Sequence, residues 1–284
     1  MDNNLTYVHI ESSTLCSGTC KMCPRSTIKR SGTMEYSLFT RIVAQAQDAG
    51  CNAFTIFRLG EPLLFPELFR WLDYIKLRQA KVSIYTNASN LTPEIGRKLQ
   101  DYREIYCDFT ISFHGIDAES YRNMMGLDFD RTYINIESFM EYNEIPANIY
   151  MLANDPGDPE LIAKFKSLWE GMGFHGVALC HFMEWAGNIT GFRTLKTMHE
   201  EEGVKMVKEP CFRSLHELDV MYDGTAVLCC VDAHGEITFG DLNHDSMEEV
   251  LNHKLRLYYQ RKHLASESSE LPLCGKCGIN LRSV

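Results

Sequence analysis

Apolar runs alternate with amphipathic stretches from residue 5 to about 182, and this alternation limits the fold more than any other feature of the chain. Tyr7-Val8-His9-Ile10 predicts a first strand. Ala53 to Phe57, Val82 to Tyr85, Phe109 to Phe113, Ala147 to Leu152 and Gly176 to Cys180 predict five more. Between them lie helical patterns. Leu38, Ile42, Val43 and Ala46 share one helical face, with Ser37 as the expected N-cap and Gly50 as the stop. Pro66 is expected to open the next helix, and Thr92-Pro93-Glu94 the one after. Further helices are expected near 118–125 and 131–143, and Leu161, Ile162, Phe165, Leu168 and Trp169 mark another. Strands separated by helices imply right-handed parallel crossovers. Six units are too few for a closed eight-stranded barrel. An open or partial barrel, or a doubly wound sheet, satisfies the pattern, and in either case the chemistry belongs at the carboxyl ends of the strands.

The pattern then changes. Residues 183–209 are mixed and polar, as in a linker. Leu218 to Tyr222 and Thr225 to Leu228 flank Asp223-Gly224, a strong hairpin signal. A helix is expected from Ser246 to about His263, followed by a polar stretch, Ser266 to Glu270, and a cysteine-containing tail. Lys+Arg total 28 against Asp+Glu 38, a net charge of -10 that weighs against nonspecific binding to nucleic acid or anionic lipid. No apolar run approaches the roughly 20 residues of a bilayer span. Met1 to Leu5 shows no basic region ahead of an apolar core, so the expected location is the cytoplasm.

The chain has 11 cysteines, an odd number and an unusual one for a reducing compartment where disulfides are rare. Cys16, Cys20 and Cys23 form C-x3-C-x2-C directly after the first strand. Three thiolates can hold three irons of a cubane and leave the fourth open to a substrate or cofactor. A zinc site with a distant fourth ligand is the plainer alternative. A second constellation, Cys211, Cys229, Cys274 and Cys277, can fully ligate either Zn(II) or a [4Fe–4S] cluster. The turn at Gly224 would swing Cys229 back toward Cys211. Cys230, its neighbour, would point to the opposite face, so the two are not expected to bind one cluster; the distance from Gly224 selects Cys229, with Cys230 as the alternative. Cys51, Cys107 and Cys180 are expected to be buried structural thiols.

With these motifs in order, the chain resembles the radical S-adenosylmethionine (SAM) enzymes. Their signature is C-x3-C-x-aromatic/apolar-C after strand one, and Met22 fills the variable slot. Gly60-Glu61-Pro62 resembles the family's GGEP element, with Leu59 in place of its first glycine. Thr86-Asn87 resembles T-N-G, with Ala88 replacing glycine, and Ser112 matches a position that commonly contacts SAM ribose or carboxylate. Trp185-Ala186-Gly187-Asn188 resembles a W-x-G-N segment of members with an auxiliary cluster. The resemblance implies an α/β fold: a partial (β/α)6 barrel over 1–190, then a linker and a small α+β twitch/SPASM-like domain over 191–284. It implies SAM and two [4Fe–4S] clusters as cofactors. Cys16, Cys20 and Cys23 would hold the first cluster, and the four later cysteines the auxiliary one. Met22, Gly60, Glu61, Thr86, Asn87 and Ser112 would contact SAM. The first step would be hydrogen abstraction by a 5′-deoxyadenosyl radical, with a flavodoxin- or ferredoxin-like protein as electron donor.

Tyr7, His9 and Glu11 share one strand face; Thr110, Ser112 and His114 share another, and Asn148, Tyr150 and Leu152 a third. If these faces point inward, His9, Arg58, His114 and Tyr150 are candidates to orient substrate or take a proton. The architecture is most similar to aminocyclitol dehydrogenases of the 2-deoxy-scyllo-inosamine type. That likeness implies two-electron oxidation of a small polar molecule, a sugar, cyclitol or nucleoside-like alcohol, with neither nucleic acid nor membrane as partner. Peptide modification, redox-neutral epimerisation with Cys180 as hydrogen donor, and a non-catalytic zinc-bound scaffold are the alternatives.

Overall fold

A computed structural model describes residues 5–279 and 281–283. The first four positions of the expected leaderless start lie outside the described residues. Six parallel strands, β1 (Tyr7–Ile10), β2 (Ala53–Ile56), β3 (Lys81–Thr86), β4 (Tyr106–Ser112), β5 (Ala147–Ala153) and β6 (Gly176–His181), pair in sequential order. Sequential order has no switch point, which excludes the doubly wound sheet and leaves an open, partial barrel. Its outer layer is α1 (Tyr36–Asp48), α2 (Leu68–Leu77), α3 (Pro93–Gln100), α4 (Ala118–Met125), α5 (Phe129–Met140) and α6 (Pro159–Trp169).

Strand alternation divides the side chains. Val8, Ile10, Ile56, Ile84, Phe109 and Ile111 are fully buried in the apolar core. Tyr7, His9, Ser112 and Tyr150 instead reach the barrel interior and line its central cavity. Phe39 of α1 stacks on Trp71 of α2 with ring centroids 3.8 Å apart, locking the first two helices together.

Helix boundaries shift from expectation in small ways. The cap of α1 is Glu35, and Ser37 lies inside the first turn. Ala49 ends α1 and Gly50 follows at φ +88°, a conformation glycine adopts without strain. A 3-10 turn, Pro62–Leu64, intervenes, so α2 begins two residues after Pro66. Thr92 caps α3 as expected, its hydroxyl accepting the Ile95 amide.

The later chain holds α7 (Leu195–Glu201), β7 (Met206–Lys208), α8 (Phe212–His216), β8 (Glu217–Val220), β9 (Thr225–Val227), β10 (Thr238–Asp241), α9 (Met247–Leu251), α10 (Lys254–Leu264) and β11 (Leu281–Ser283). Residues 183–209 are therefore structured rather than a bare linker, and β7 pairs antiparallel with β11. The single helix expected from Ser246 to His263 is two, separated where His253 turns extended. The hairpin at Asp223-Gly224 forms as expected between β8 and β9.

Its placement is the main departure from a separate appendage. β8 runs parallel to β1, with Tyr7 opposite Glu217 and His9 opposite Asp219. One nine-stranded sheet results, in the order β10-β9-β8-β1-β2-β3-β4-β5-β6. The barrel would otherwise offer β1 as an open edge, and the hairpin satisfies its backbone groups. A boundary at 190/191 thus divides strands of one sheet. Among the described residues, no helix is long and apolar enough to cross a membrane.

Candidate active site and auxiliary cluster site

The loop carrying Cys16, Cys20 and Cys23 leaves β1 and docks on the end of α4. Thr19 N donates to the Met125 carbonyl at 2.9 Å, and Lys21 N to the Met124 carbonyl at 3.0 Å. These carbonyls are helix-end acceptors that would otherwise lack partners. Arg25 reaches back to the Gly18 carbonyl at 2.6 Å. All three thiols line the central cavity. Burial, then the neighbouring Cys23 and Cys16, pushes the Cys20 thiol up to about 12. Three desolvated thiols this close are poor company as free thiolates, and a cationic cluster is the kind of group that holds them deprotonated.

The Gly60-Glu61 turn after β2 braces that loop. Glu61 N donates to the Leu15 carbonyl at 2.6 Å. A Cβ on Gly60 would sit 2.0 Å from the Ser13 carbonyl oxygen, so this glycine is required by the approach of the cysteine loop itself. The Glu61 side chain is buried and fully engaged. It accepts from Thr86 Oγ1 at 2.6 Å, Asn87 N at 2.7 Å and Leu63 N at 3.0 Å. Glu61 and Thr86 therefore tie two strand-end loops together. The Asn87 side-chain amide donates to Cys16 Sγ at 3.6 Å, placing it against the first cysteine of the expected cluster motif. Ala88, which follows the Thr86-Asn87 pair, takes φ +56°.

The central cavity has a volume of about 720 Å³, within the size range of cofactor sites. Besides the cysteines, its walls include Met22, Gly60, Glu61, Thr86, Asn87 and Ser112, so the expected SAM contacts converge. The four candidate polar groups also line it but differ in their bonding. His9 Nε2 lies 2.9 Å from Glu217 Oε2. His114 accepts the Leu152 amide on Nδ1 at 3.1 Å, and burial lowers its pKa to about 3, so it is neutral. Tyr150 OH accepts from Ser112 Oγ at 3.0 Å. Arg58 is fully buried among Asp219 at 3.5 Å, Glu11 at 3.9 Å and the Asp232 carbonyl at 2.5 Å.

Three groups in this cavity escaped sequence reasoning: Glu217, Arg213 and Asp108; Cys230 lines it as well. Glu217 could have been found from the i, i+2 spacing of Glu217 and Asp219 on the hairpin strand; nothing local marks Arg213. Two expectations about spare thiols are corrected. Cys107 and Cys180 are exposed, and only Cys51 of the three is buried. The reason is the open barrel, whose inner face is not packed as the outer face is: Cys107 meets Ser83 Oγ at 3.1 Å, on the polar side of the sheet.

A second, smaller chamber of about 20 Å³ is lined by Cys211, Cys229, Cys274 and Cys277, with Leu228, Val231 and Leu273 around them. Cys229 and Cys230 follow the end of β9 and diverge, Cys229 facing this chamber and Cys230 the central cavity. Arg213 Nη1 donates to Cys230 Sγ at 2.9 Å. The Cys274–Cys277 turn is held by Lys208, whose ammonium donates to the Cys277 carbonyl at 2.6 Å and also to that of Cys274. His263 Nε2 is buried without a partner beside the same chamber. An orphaned polar atom and four thiols around one chamber fit a bound metal group. Among the described residues no three His, Cys, Asp or Glu side chains close on a single ion. A cubane places each thiolate on a different iron and so suits the wider spacing.

Residues 10–165, more than half the chain, match the radical SAM superfamily. The chain belongs to the radical SAM superfamily. Residues 211–278 match the SPASM iron-sulfur cluster-binding domain. No curated protein matches this chain. Among solved structures, Streptococcus suis SuiB bound to precursor peptide SuiA has a TM-score of 0.72 at 14% identity, covering 91% of this chain and 67% of that one. BtrN in complex with AdoMet and 2-DOIA has a TM-score of 0.66 at 16% identity, covering 98% and 94%. Native anSMEcpe with bound AdoMet has a TM-score of 0.68 at 15% identity, covering 96% and 89%. At such identities the likeness is one of fold. This radical SAM enzyme has SAM and a [4Fe–4S] cluster as cofactors of its barrel and further iron–sulfur in its SPASM domain.

Proposed function

We propose that this radical SAM enzyme oxidises a small polar alcohol, of the sugar, cyclitol or nucleoside class, by two electrons. The observation that carries this reading is the chamber lined by Cys211, Cys229, Cys274 and Cys277, apart from the main cavity. A cluster ligated by all four thiolates leaves no iron for substrate, which favours an electron-accepting role. With both clusters and SAM bound, the cofactors supply hydrogen-atom abstraction from the carbinol carbon and removal of the second electron.

The chain's own residues do the rest. Cys16, Cys20 and Cys23 hold the first cluster, and Met22, Gly60, Thr86, Asn87 and Ser112 surround SAM. Glu61 acts at one remove, fixing the loops that make these contacts. His9 takes the hydroxyl proton. Its Nε2 is engaged by Glu217, and no hydrogen bond is formed by Nδ1 among the described residues. Burial disfavours the charged ring, but Asp219 and the Glu217 contact outweigh it and raise the pKa above 6.5, toward the range of an effective base. Neutral His114 and Tyr150 orient substrate. A flavodoxin- or ferredoxin-like donor supplies the initiating electron, and the proposed setting is the cytoplasm.

Peptide modification is the second reading, supported by the fold likeness to SuiB, seen bound to its precursor peptide. The deciding experiment incubates reduced enzyme with carbinol-deuterated sugars, cyclitols and nucleosides, and separately with deuterated peptides. Label in 5′-deoxyadenosine from an alcohol, with ketone and 5′-deoxyadenosine formed about one to one, is expected. Label only from peptide, or an isomer formed over many turnovers per SAM, would overturn the dehydrogenase reading.

A further inference from the structure

Arg58 lines the central cavity, yet its guanidinium holds the backbone of the turn that carries Cys229. Its side chain has no exposed surface. Nη2 donates to two carbonyls of one turn, Asp232 at 2.5 Å and Cys229 at 3.3 Å. Nε and Nη1 make no hydrogen bond and face Asp219 and Glu11 at ion-pair distances of 3.5 and 3.9 Å. A buried cation at this depth is poorly screened, so its field acts on whatever lies beside the Cys229 turn.

The opposite end of the same short segment touches the first cluster loop. Three residues after Arg58, Glu61 N bonds to the Leu15 carbonyl, directly before Cys16. The segment Arg58 to Glu61 is thus a strut between the loop of Cys16 and the turn of Cys229. A strut of four residues leaves little freedom for the two sites to move apart.

We infer that Arg58 is a positioning residue that fixes the Cys229 turn relative to the Cys16 loop, and that its charge raises the reduction potential of the auxiliary cluster. The inference rests on Cys229 being an auxiliary ligand. A fixed positive charge favours the reduced, more negative cluster, so removing it lowers the potential.

The test uses full-length protein with Cys16, Cys20 and Cys23 replaced by alanine, reconstituted anaerobically, so that only the auxiliary cluster is read. Its midpoint potential is measured by EPR-monitored redox titration, with iron content as the second readout. Arg58→Met is expected to shift the midpoint to more negative values, and Arg58→Lys to restore much of the shift. Asp219→Asn, which keeps the arginine and removes a compensating charge, is expected to shift it the other way. If Arg58→Met fails to retain iron, the Arg58→Lys and Asp219→Asn midpoints decide. A midpoint unchanged in every iron-retaining variant overturns the inference. Loss of the cluster in Cys229→Ala is measured separately, so failure of the ligand assignment is distinguishable from failure of the role of Arg58.

Discussion

His9 Nε2 and Glu217 Oε2 are 2.9 Å apart across the seam where β1 and β8 run parallel. One partner comes from the first strand of the barrel and the other from the hairpin of the SPASM region. The proposed proton acceptor is therefore assembled only when the hairpin is docked.

That pair makes stability pH-dependent. The folded pKa of His9 is raised, so its contribution is present at low pH and is lost as pH rises through the folded value. The folded pKa of Glu217 is lowered despite burial, because His9 and Arg213 lie beside it; its contribution is lost as pH falls through the folded value. The pair should stabilise the fold between those two limits. Thermal unfolding of wild type and Glu217→Gln should differ most inside the window and converge outside it. A constant difference across pH would exclude the linkage.

Replacing His9 by glutamine should leave SAM cleavage running while product formation falls, by roughly 10²-fold or more if it is a general base. The two rates are separated by quantifying 5′-deoxyadenosine and oxidised product in the same reaction. Equal loss of both would mean that His9 serves SAM binding instead.

Reconstituted enzyme should carry about eight irons per chain, and replacing Cys16, Cys20 and Cys23 together by alanine should leave about four. Iron analysis with EPR checks the count. Retention of the full complement would remove the first motif from the cluster assignment.

Cys229→Ala should cost the auxiliary cluster or leave it oxygen-fragile, whereas Cys230→Ala should keep it. The two thiols diverge into different cavities, so the variants should not resemble each other. The reverse outcome would show Cys230 to be the ligand.

Gly60→Ala would drive a methyl group to 2.0 Å from the Ser13 carbonyl. Relief requires backbone movement, costing about 1–3 kcal/mol as overpacking does. The cysteine loop should loosen, with the first cluster lost and about four irons remaining. Wild-type iron content and melting temperature in this variant would show that the loop yields freely.

Much of the fold and of the candidate site was legible in the chain because it is local. The six parallel strands follow from short apolar runs spaced by amphipathic helices, since period and length are properties of contiguous residues. The three-cysteine motif and the Gly60-Glu61 and Thr86-Asn87 turns were legible because strand ends bring successive loops to one rim.

What only the tertiary structure decided depends on long-range pairing. Sequence alone did not show that β8 would lie beside β1, because an unpaired edge is satisfied by a strand from a distant part of the chain, as where Tyr7 pairs with Glu217 and His9 with Asp219. That pairing puts Glu217 and Arg213 in the cavity wall and turns Arg58 from a candidate base into a buried cation against the Cys229 turn. The assembled sheet also decided the exposure of Cys107 and Cys180, since burial in an open barrel depends on which face the helices cover. Residue spacing determines which groups share a strand face; only the assembled sheet determines what that face meets.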